Sequence, residues 1–243
     1  MNKIIFLILL SLAQVFTPGT DASQQLATLL KQELAGKLKG VEVQMEVPAG
    51  AFLRHDRINE VKLTFDRLYI KPMMVRRAEI TLEQMVLDPT KPPEAGVERV
   101  KSVGPLSYRF TFEADDLAAA LAAKSKRIRN PKITIEQGIA TLSGKLKVGF
   151  IKTPFEVAGR PAFEKKSQIV YHVTEVKFIG VPLPASLKQL IEDDINPIFD
   201  LNEFYDKKKE ELAQTERMLK RPLKFVVTEL KAEHNRLLLT GTA

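Results

Sequence analysis

The feature that most restricts the fold of this sequence is a period-two alternation of apolar and polar residues, repeated in many short segments. Alternation of this kind buries one face of a strand and leaves the other in water, which is typical of antiparallel sheets. Glycines 138, 144, 149 and 159 interrupt the later segments, as bulges and sharp bends require. At Thr174 and Glu175 the alternation slips by one residue, which predicts one bulge. Segments of this kind begin at Val41, Val61, Ile80, Leu106, Ile133, Leu142, Phe155, Ile169, Phe225 and Leu237.

Four other segments have the spacing of helices. Ser23 to Lys39 and Ala114 to Arg127 each place apolar residues at three- and four-residue intervals. A third apolar stripe runs from Leu183 to Ile198 and follows a turn that contains Pro182 and Pro184, while Glu203 to Arg221 is predominantly charged. Helices alternating with groups of one-faced strands predict an α+β fold.

The N-terminus has the pattern of a secretory signal. Lys3 precedes the apolar run Ile4 to Phe16, and Thr20-Asp21-Ala22 places small residues where a signal peptidase cleaves. Because the run is shorter than the ~20 residues that span a bilayer, we predict cleavage after Ala22; the alternative is an uncleaved membrane anchor. Residues 23–243 are then one exported domain of the periplasm or cell envelope, with a loose internal break near 89–95 in the proline-rich "PTKPP".

The sequence has no pattern of residues that indicates catalysis. It lacks a Gly-x-Ser-x-Gly elbow, a phosphate-binding glycine loop and a His-Glu-x-x-His pair. With no cysteine and three histidines, a structural zinc site is improbable, and neither a metal nor a cofactor is expected. Glu192 to Asp194 are interpreted as a solvated helix face, and His172 is predicted to face solvent. We therefore predict that the protein is not an enzyme.

The net charge of +7 raises the question of an anionic partner. The stretch "KSKRIRNPK", Lys124 to Lys132, is basic but has no aromatic residue with which to stack bases, so nucleic-acid binding is not predicted. A second set of basic residues lies in the charged helix and is a candidate for contact with anionic lipid headgroups or a membrane surface. These candidates are Lys207, Lys208, Lys209, Arg217, Lys220 and Arg221. Five acidic residues in the same segment leave open the alternative that this helix is solvated and contacts no membrane.

Several stretches of the second half resemble a known family. They are "FEADDLAAALAAK", "ATLSGKLKV", "VKFIGVPLPASLKQLIEDDINPIFDL" and the ending "LLLTGTA". In order and spacing, from about Phe112 to Ala243, the chain resembles the LmeA-like family of secreted bacterial phospholipid-binding proteins. That family is similar to the tubular lipid-binding (TULIP-like) fold, in which a strongly curved antiparallel sheet wraps around a long helix and acyl chains lie between them. Residues 203–221 depart from the family, where a short link is expected.

The resemblance implies an exported phospholipid-binding or lipid-transfer protein that holds acyl chains between helix and curved sheet, with further helices at its flanks. The alternative is a non-enzymatic envelope scaffold or partner-binding protein with a dry core, since an amphipathic helix looks the same in both; a hydrolase comes third. The residues proposed to line the lipid site are apolar and lie on the predicted inner faces. They are Leu117, Leu121, Leu142, Leu146, Phe150, Tyr171, Leu187, Leu190, Ile191 and Ile195.

Overall fold

A computed structural model of the chain describes residues 28, 32, 42–46, 52–54, 57–70, 73–92, 95, 98–148, 150–178, 185–201, 216–217 and 222–243. The predicted signal segment, most of the first helix, the proline turn before residue 185 and most of the charged helix lie outside these residues.

Thirteen strands in the described part of the chain form two antiparallel sheets. The first sheet has the order β1-β3-β4-β6-β13-β12, with β2 paired to β3 and β5 paired to β4. Its strands are β1 (Glu42–Glu46), β2 (Phe52–Arg54), β3 (Arg57–Ile70), β4 (Met73–Leu87), β5 (Val100–Ser102), β6 (Leu106–Glu113), β12 (Val226–Glu233) and β13 (Arg236–Thr242).

The second sheet has the order β11-β10-β9-β8-β7 and therefore follows the chain as a simple meander. Its strands are β7 (Ile128–Glu136), β8 (Ile139–Val148), β9 (Ile151–Glu164), β10 (Gln168–Phe178) and β11 (Phe199–Asp200). Its outer strand β11 is short and pairs with β10 only at Gln168 and Ile169. The rest of that edge of β10 must therefore find other partners.

Two helices with defined bounds accompany the sheets, α1 (Ala114–Lys124) and α2 (Ala185–Ile195). Asp115 and Asp116 lie in the first turn of α1 and Lys124 in its last, so the charges complement the helix dipole at both ends. The helix ends before the predicted Arg127 because the buried Ser125 Oγ accepts hydrogen bonds from the N–H groups of Arg127 and Ile128. The chain then enters β7.

The two sheets share one continuous apolar core. Helix α1 packs against β4 and β6 of the first sheet and β7 of the second, and β12 contacts β7, β8 and β9. Backbone hydrogen bonds join the sheets where they meet: Gly138 N–H donates to the Ala232 carbonyl at 2.9 Å, and Val227 N–H to the Lys166 carbonyl at 2.7 Å. The two sheets are therefore joined both through α1 and by direct contact.

The antiparallel, strongly curved character of the sheet is as predicted, but the long central helix is not found among the described residues. Strands of up to fifteen residues and several register shifts give a sheet that curls into a half-barrel. The predicted bulge at Thr174 is confirmed, because Val173 pairs with Gly159 and Glu175 with the adjacent Ala158. In place of one long helix, α1 and α2 have eleven residues each.

Candidate functional site

A cavity lies between the inner face of the second sheet and the two helices. It comprises about 630 Å³ of space between atoms, counted together with its opening, and little of it is wider than a water molecule. Its walls are apolar side chains from both sheets and both helices. They are Met73, Leu117, Ala120, Leu121, Ile133, Ile135, Ala140, Leu142, Pro161, Tyr171, Ile195, Ile198 and Leu237.

Regular periodicity places most of these side chains. In β7 and β8 the inward positions face each other in register, Ile133 opposite Leu142 and Ile135 opposite Ala140. In α1, Leu117, Ala120 and Leu121 have the i, i+3, i+4 spacing of one helix face. The small Ala120 and Ala140 side chains leave space that leucine would fill. The cavity therefore results from residue size as much as from the curvature of the sheet.

Tyr171 contributes the polar atom of this lining, and the backbone satisfies it. Its Oη lies 2.7 Å from the carbonyl oxygen of Ala140, to which it donates, and 3.0 Å from that of Val157. Burial raises the pKa of the Tyr171 hydroxyl, so the group is neutral at physiological pH. No lining residue carries a charge. A bound group inside this cavity therefore meets hydrocarbon, a neutral ring and no acid or base.

Helix α2 is attached to the exposed edge of β10 by side chains near its C-terminus. Asn196 accepts a hydrogen bond from Tyr171 N–H through Oδ1 at 2.7 Å and donates one to the Tyr171 carbonyl through Nδ2 at 2.9 Å. Glu192 Oε1 accepts the N–H of Val173 at 3.0 Å. These contacts supply the partners that β11 is too short to provide.

A second set of polar contacts joins α2 to the end of α1. Ser125 Oγ donates to Asp194 Oδ2, and Lys124 Nζ donates to the carbonyl oxygens of Ile195, at 3.1 Å, and Pro197. The interpretation of Glu192 to Asp194 as a solvated face is therefore wrong for Glu192 and Asp194, which are half-buried and bonded. The hydrogen bonds they accept compensate for their unfavourable position near a helix C-terminus.

The structure brings together half of the residues predicted to line a lipid site. Leu117, Leu121, Leu142, Tyr171 and Ile195 line the cavity. Leu146 and Ile191 are buried in the core but are not part of the cavity wall, and Leu190 is partly buried against the core. The side chain of Leu187 lies outside the described residues.

Phe150 does not lie in the cavity. Its side chain is fully exposed at the turn between β8 and β9. The period-two pattern that placed Phe150 on the inner face ends with β8 at Val148, and the chain then reverses. The predicted solvent exposure of His172, in contrast, is confirmed, and its imidazole lies 3.5 Å from the Glu164 carboxylate.

Eight lining residues were not among the predicted set. Ile133 and Ile135 belonged to a recognised alternating segment and could have been included. Ala120 lies on the apolar face of its helix and Ile198 ends the third apolar stripe, so both could also have been included. Ala140 and Pro161 are small or cyclic residues with little apolar signal of their own. Met73 and Leu237 come from the first sheet, so only the tertiary arrangement brings them to the cavity.

The basic residues proposed to contact membranes are largely outside the described part of the chain. Arg217 is described and is exposed, whereas Lys207, Lys208, Lys209, Lys220 and Arg221 are not described. Among the described residues, no cluster of histidine, aspartate or glutamate could hold a metal ion. None of the described helices combines the length and the apolar character needed to cross a membrane.

Comparison with known proteins gives one match. The model of a family described as LmeA-like phospholipid-binding matches residues 19–242, nearly the whole chain and well beyond the second half on which the sequence resemblance rested. No curated protein and no solved structure matches the sequence.

Proposed function

The chain belongs to the LmeA-like phospholipid-binding family, and from that membership we propose that it takes lipid acyl chains into the cavity between α1, α2 and the second sheet. We propose further that it acts as an exported lipid-binding or lipid-transfer protein of the bacterial cell envelope. The apolar segment Ile4 to Phe16, followed by Thr20-Asp21-Ala22, supports export.

The observation that carries this proposal is the chemistry of the cavity wall. Every lining side chain is apolar or, in Tyr171, a neutral phenol already bonded to the backbone. An ionised ligand would lose its hydration there without gaining a hydrogen-bond partner or a counter-charge. Burial of each methylene group, in contrast, stabilises the complex by ~0.8 kcal/mol. An acyl chain is the part of a phospholipid that fits such a wall.

The size of the cavity limits how much of a lipid it holds. The 630 Å³ of space between atoms includes solvent at the opening, and only about 50 Å³ of it is wide enough for a water-sized sphere. That is room for a few water molecules, each of which needs roughly 10–15 Å³ on this measure. Uptake of an acyl chain therefore requires the cavity to widen, and a headgroup stays outside it.

We infer the position of the opening from the lining residues that are not fully buried. Ile133, Pro161 and Ile198 are half-buried, whereas the other ten lining residues are buried. We propose that the acyl chain enters between these three residues and that the headgroup stays beside them in water.

A dry-core scaffold is the second candidate, and the narrowness of the cavity favours it. Ile191, in the middle of the α2 stripe, is completely buried outside the cavity wall, as in an ordinary packed core. A scaffold of this kind would use the same fold to hold a partner and would contain no lipid.

Native mass spectrometry of the exported protein separates the two candidates. The protein is purified without detergent and sprayed from volatile buffer, and the bound species is released by collision and identified by its fragments. We expect the mass of the chain plus one phospholipid. A bare chain in every preparation, with no uptake from phosphatidylglycerol vesicles added beforehand, would favour the scaffold.

A further inference from the structure

The turn between β8 and β9 carries a fully exposed aromatic side chain, Phe150. A large apolar side chain at the tip of a hairpin adds nothing to the free energy of folding, because it stays in water in the folded state. The sequence of this hairpin, "KVGFIK" from Lys147 to Lys152, places a lysine on each side of the apolar tip.

Like charges face each other on the strands that lead to this tip. Lys147 is the register partner of Lys152 across β8 and β9, and Arg129 is the partner of Lys145 across β7 and β8. All four side chains are exposed. Like-charge pairs directly opposite one another destabilise a sheet, so the protein tolerates a cost here that an anionic partner would offset.

A fifth cation joins the same end of the sheet. Lys147 N–H donates to the Arg127 carbonyl at 2.9 Å, which holds the start of the "RIRNPK" stretch beside the hairpin. We call this surface the basic tip. It comprises Arg127, Arg129, Lys145, Lys147, Phe150 and Lys152.

Within the described part of the chain, none of these five cations forms an ion pair. No acidic residue occurs between Gln137 and Phe155, and the first one along β9 is Glu156, whose register partners are Ser143 and Lys177. The hairpin therefore brings Lys145, Lys147 and Lys152 to the exposed phenyl ring with no acidic residue of its own. At the Arg127 end of the basic tip, the Asp194 carboxylate is close, since it is bonded to the same Ser125 Oγ that accepts the Arg127 N–H.

We propose that the basic tip docks the protein on an anionic lipid bilayer, with Phe150 inserted at the headgroup level and the five cations against the lipid phosphates. A phenyl ring gains from burial at the boundary between headgroups and acyl chains, and basic residues near an anionic surface each strengthen binding. This combination distinguishes a bilayer from a soluble polyanion, which would use the charges but not the ring.

The hairpin end of the docking surface is distant from the cavity. Lys147 lies five residues along β8 from Leu142 of the cavity wall, or about 17 Å at the rise of a strand, whereas Arg129 lies four residues along β7 from Ile133 at the proposed opening. The inference therefore does not depend on the proposed lipid cargo, and each can fail without the other.

The test measures binding of the full exported chain to vesicles at low salt. The vesicles are either equal parts of phosphatidylglycerol and phosphatidylcholine, or phosphatidylcholine alone, and binding is read by sedimentation. The test variants are Phe150→Ala and the double change Lys147→Gln with Lys152→Gln. The matched control is Lys165→Gln with Lys166→Gln, which removes the same charge from exposed residues of the turn at the opposite end of β9.

We expect the wild-type chain to bind the anionic vesicles and not the neutral ones. The double lysine change at the tip should weaken binding about thirtyfold, since each lysine near an anionic surface is worth roughly fivefold. Phe150→Ala should weaken it roughly tenfold, and the control by less than threefold, with the lipid recovered per purified chain unchanged in all variants.

Three results would overturn the inference. One is wild-type binding that is absent or equal on the two vesicle types. Another is an equal loss in the tip and control variants, which would indicate a diffuse effect of net charge. The third is a lysine effect with no Phe150 effect, which would indicate a polyanion rather than a bilayer.

Discussion

The ring of Tyr171 lies directly against Gly159 on the neighbouring strand, so closely that a Cβ at position 159 would be 2.7 Å from Tyr171 Cζ. The same Cβ would be 2.4 Å from the carbonyl oxygen of His172. Tyr171 thus lies flat across β9, and its hydroxyl reaches the Ala140 carbonyl of β8. A single side chain ties three strands together behind the cavity, and glycine at 159 makes this possible.

Replacing Gly159 with alanine should destabilise the protein, because both the ring and a backbone carbonyl must move. We expect a loss of about 1–3 kcal/mol in the free energy of unfolding, measured from urea midpoints. Gly138→Ala is the comparison: nothing lies within 4 Å of its Cβ, and only the positive φ of 82° opposes it, at a cost of about 1 kcal/mol. A Gly159→Ala protein as stable as wild type would refute the close packing.

Tyr108 and Tyr171, the two buried tyrosines of the described residues, should respond differently to loss of the hydroxyl. Tyr171→Phe removes a hydrogen bond to Ala140 and should cost about 1 kcal/mol. Tyr108 Oη is buried and has no partner among the described residues, so Tyr108→Phe should be neutral or stabilising by up to about 1 kcal/mol. Urea unfolding of both variants decides this; equal losses would contradict the hydrogen-bond assignment.

The same tyrosines predict a loss of stability at alkaline pH. Burial raises the pKa of both hydroxyls above the ~10 of an unfolded tyrosine. Their stabilising contribution is therefore complete below about pH 10 and falls as pH rises further, because the unfolded chain then releases protons that the folded chain retains. Each tyrosine contributes at most ~1.4 kcal/mol per pH unit. The double variant Tyr108→Phe with Tyr171→Phe should show a shallower decline from about pH 10 to 12, and an identical decline would count against the assignment.

Ser125 joins the end of α1 to α2, and its removal should loosen that junction. Its Oγ accepts from Ile128 N–H at 2.8 Å and Arg127 N–H at 3.1 Å and donates to Asp194. Ser125→Ala leaves these groups without their partner and should cost about 2–3 kcal/mol. Ser107→Ala, in β6 and without a side-chain hydrogen bond among the described residues, should change stability by a few tenths of a kcal/mol. Equal thermal midpoints for the two variants would show that the junction is not structural.

The antiparallel strands and the bulge at Thr174 could be predicted from the sequence because they depend on local alternation, which the neighbouring residues display directly. The partition into two sheets could not, because it depends on pairings such as β6 with β13, whose residues Phe112 and Leu237 are distant in the chain. Met73 and Leu237 reach the cavity through those pairings alone.

Polar residues were the hardest to place. Glu192 and Asp194 look like surface residues because a carboxylate is normally solvated. In the structure, Glu192 accepts the N–H of Val173, which β11 is too short to pair, and Asp194 accepts the hydroxyl of Ser125 at the end of α1. Phe150 gives the opposite case. Alternation assigned it to the core, whereas the position of the turn, which the pattern does not specify, leaves it in solvent.

The cavity is proposed to hold an acyl chain, and the most direct test of this proposal fills the cavity without adding a polar group. Ala120 lies on the cavity wall, whereas its neighbour Ala119 is exposed on the same helix. Phospholipid recovered per chain is measured for wild type, Ala120→Leu and Ala119→Leu after identical expression and detergent-free purification. We predict that Ala120→Leu loses most of its lipid while its thermal midpoint is unchanged or higher, and that Ala119→Leu retains the wild-type amount. Lipid retained in full by a folded Ala120→Leu protein would contradict the account, and so would a wild-type chain that carries none.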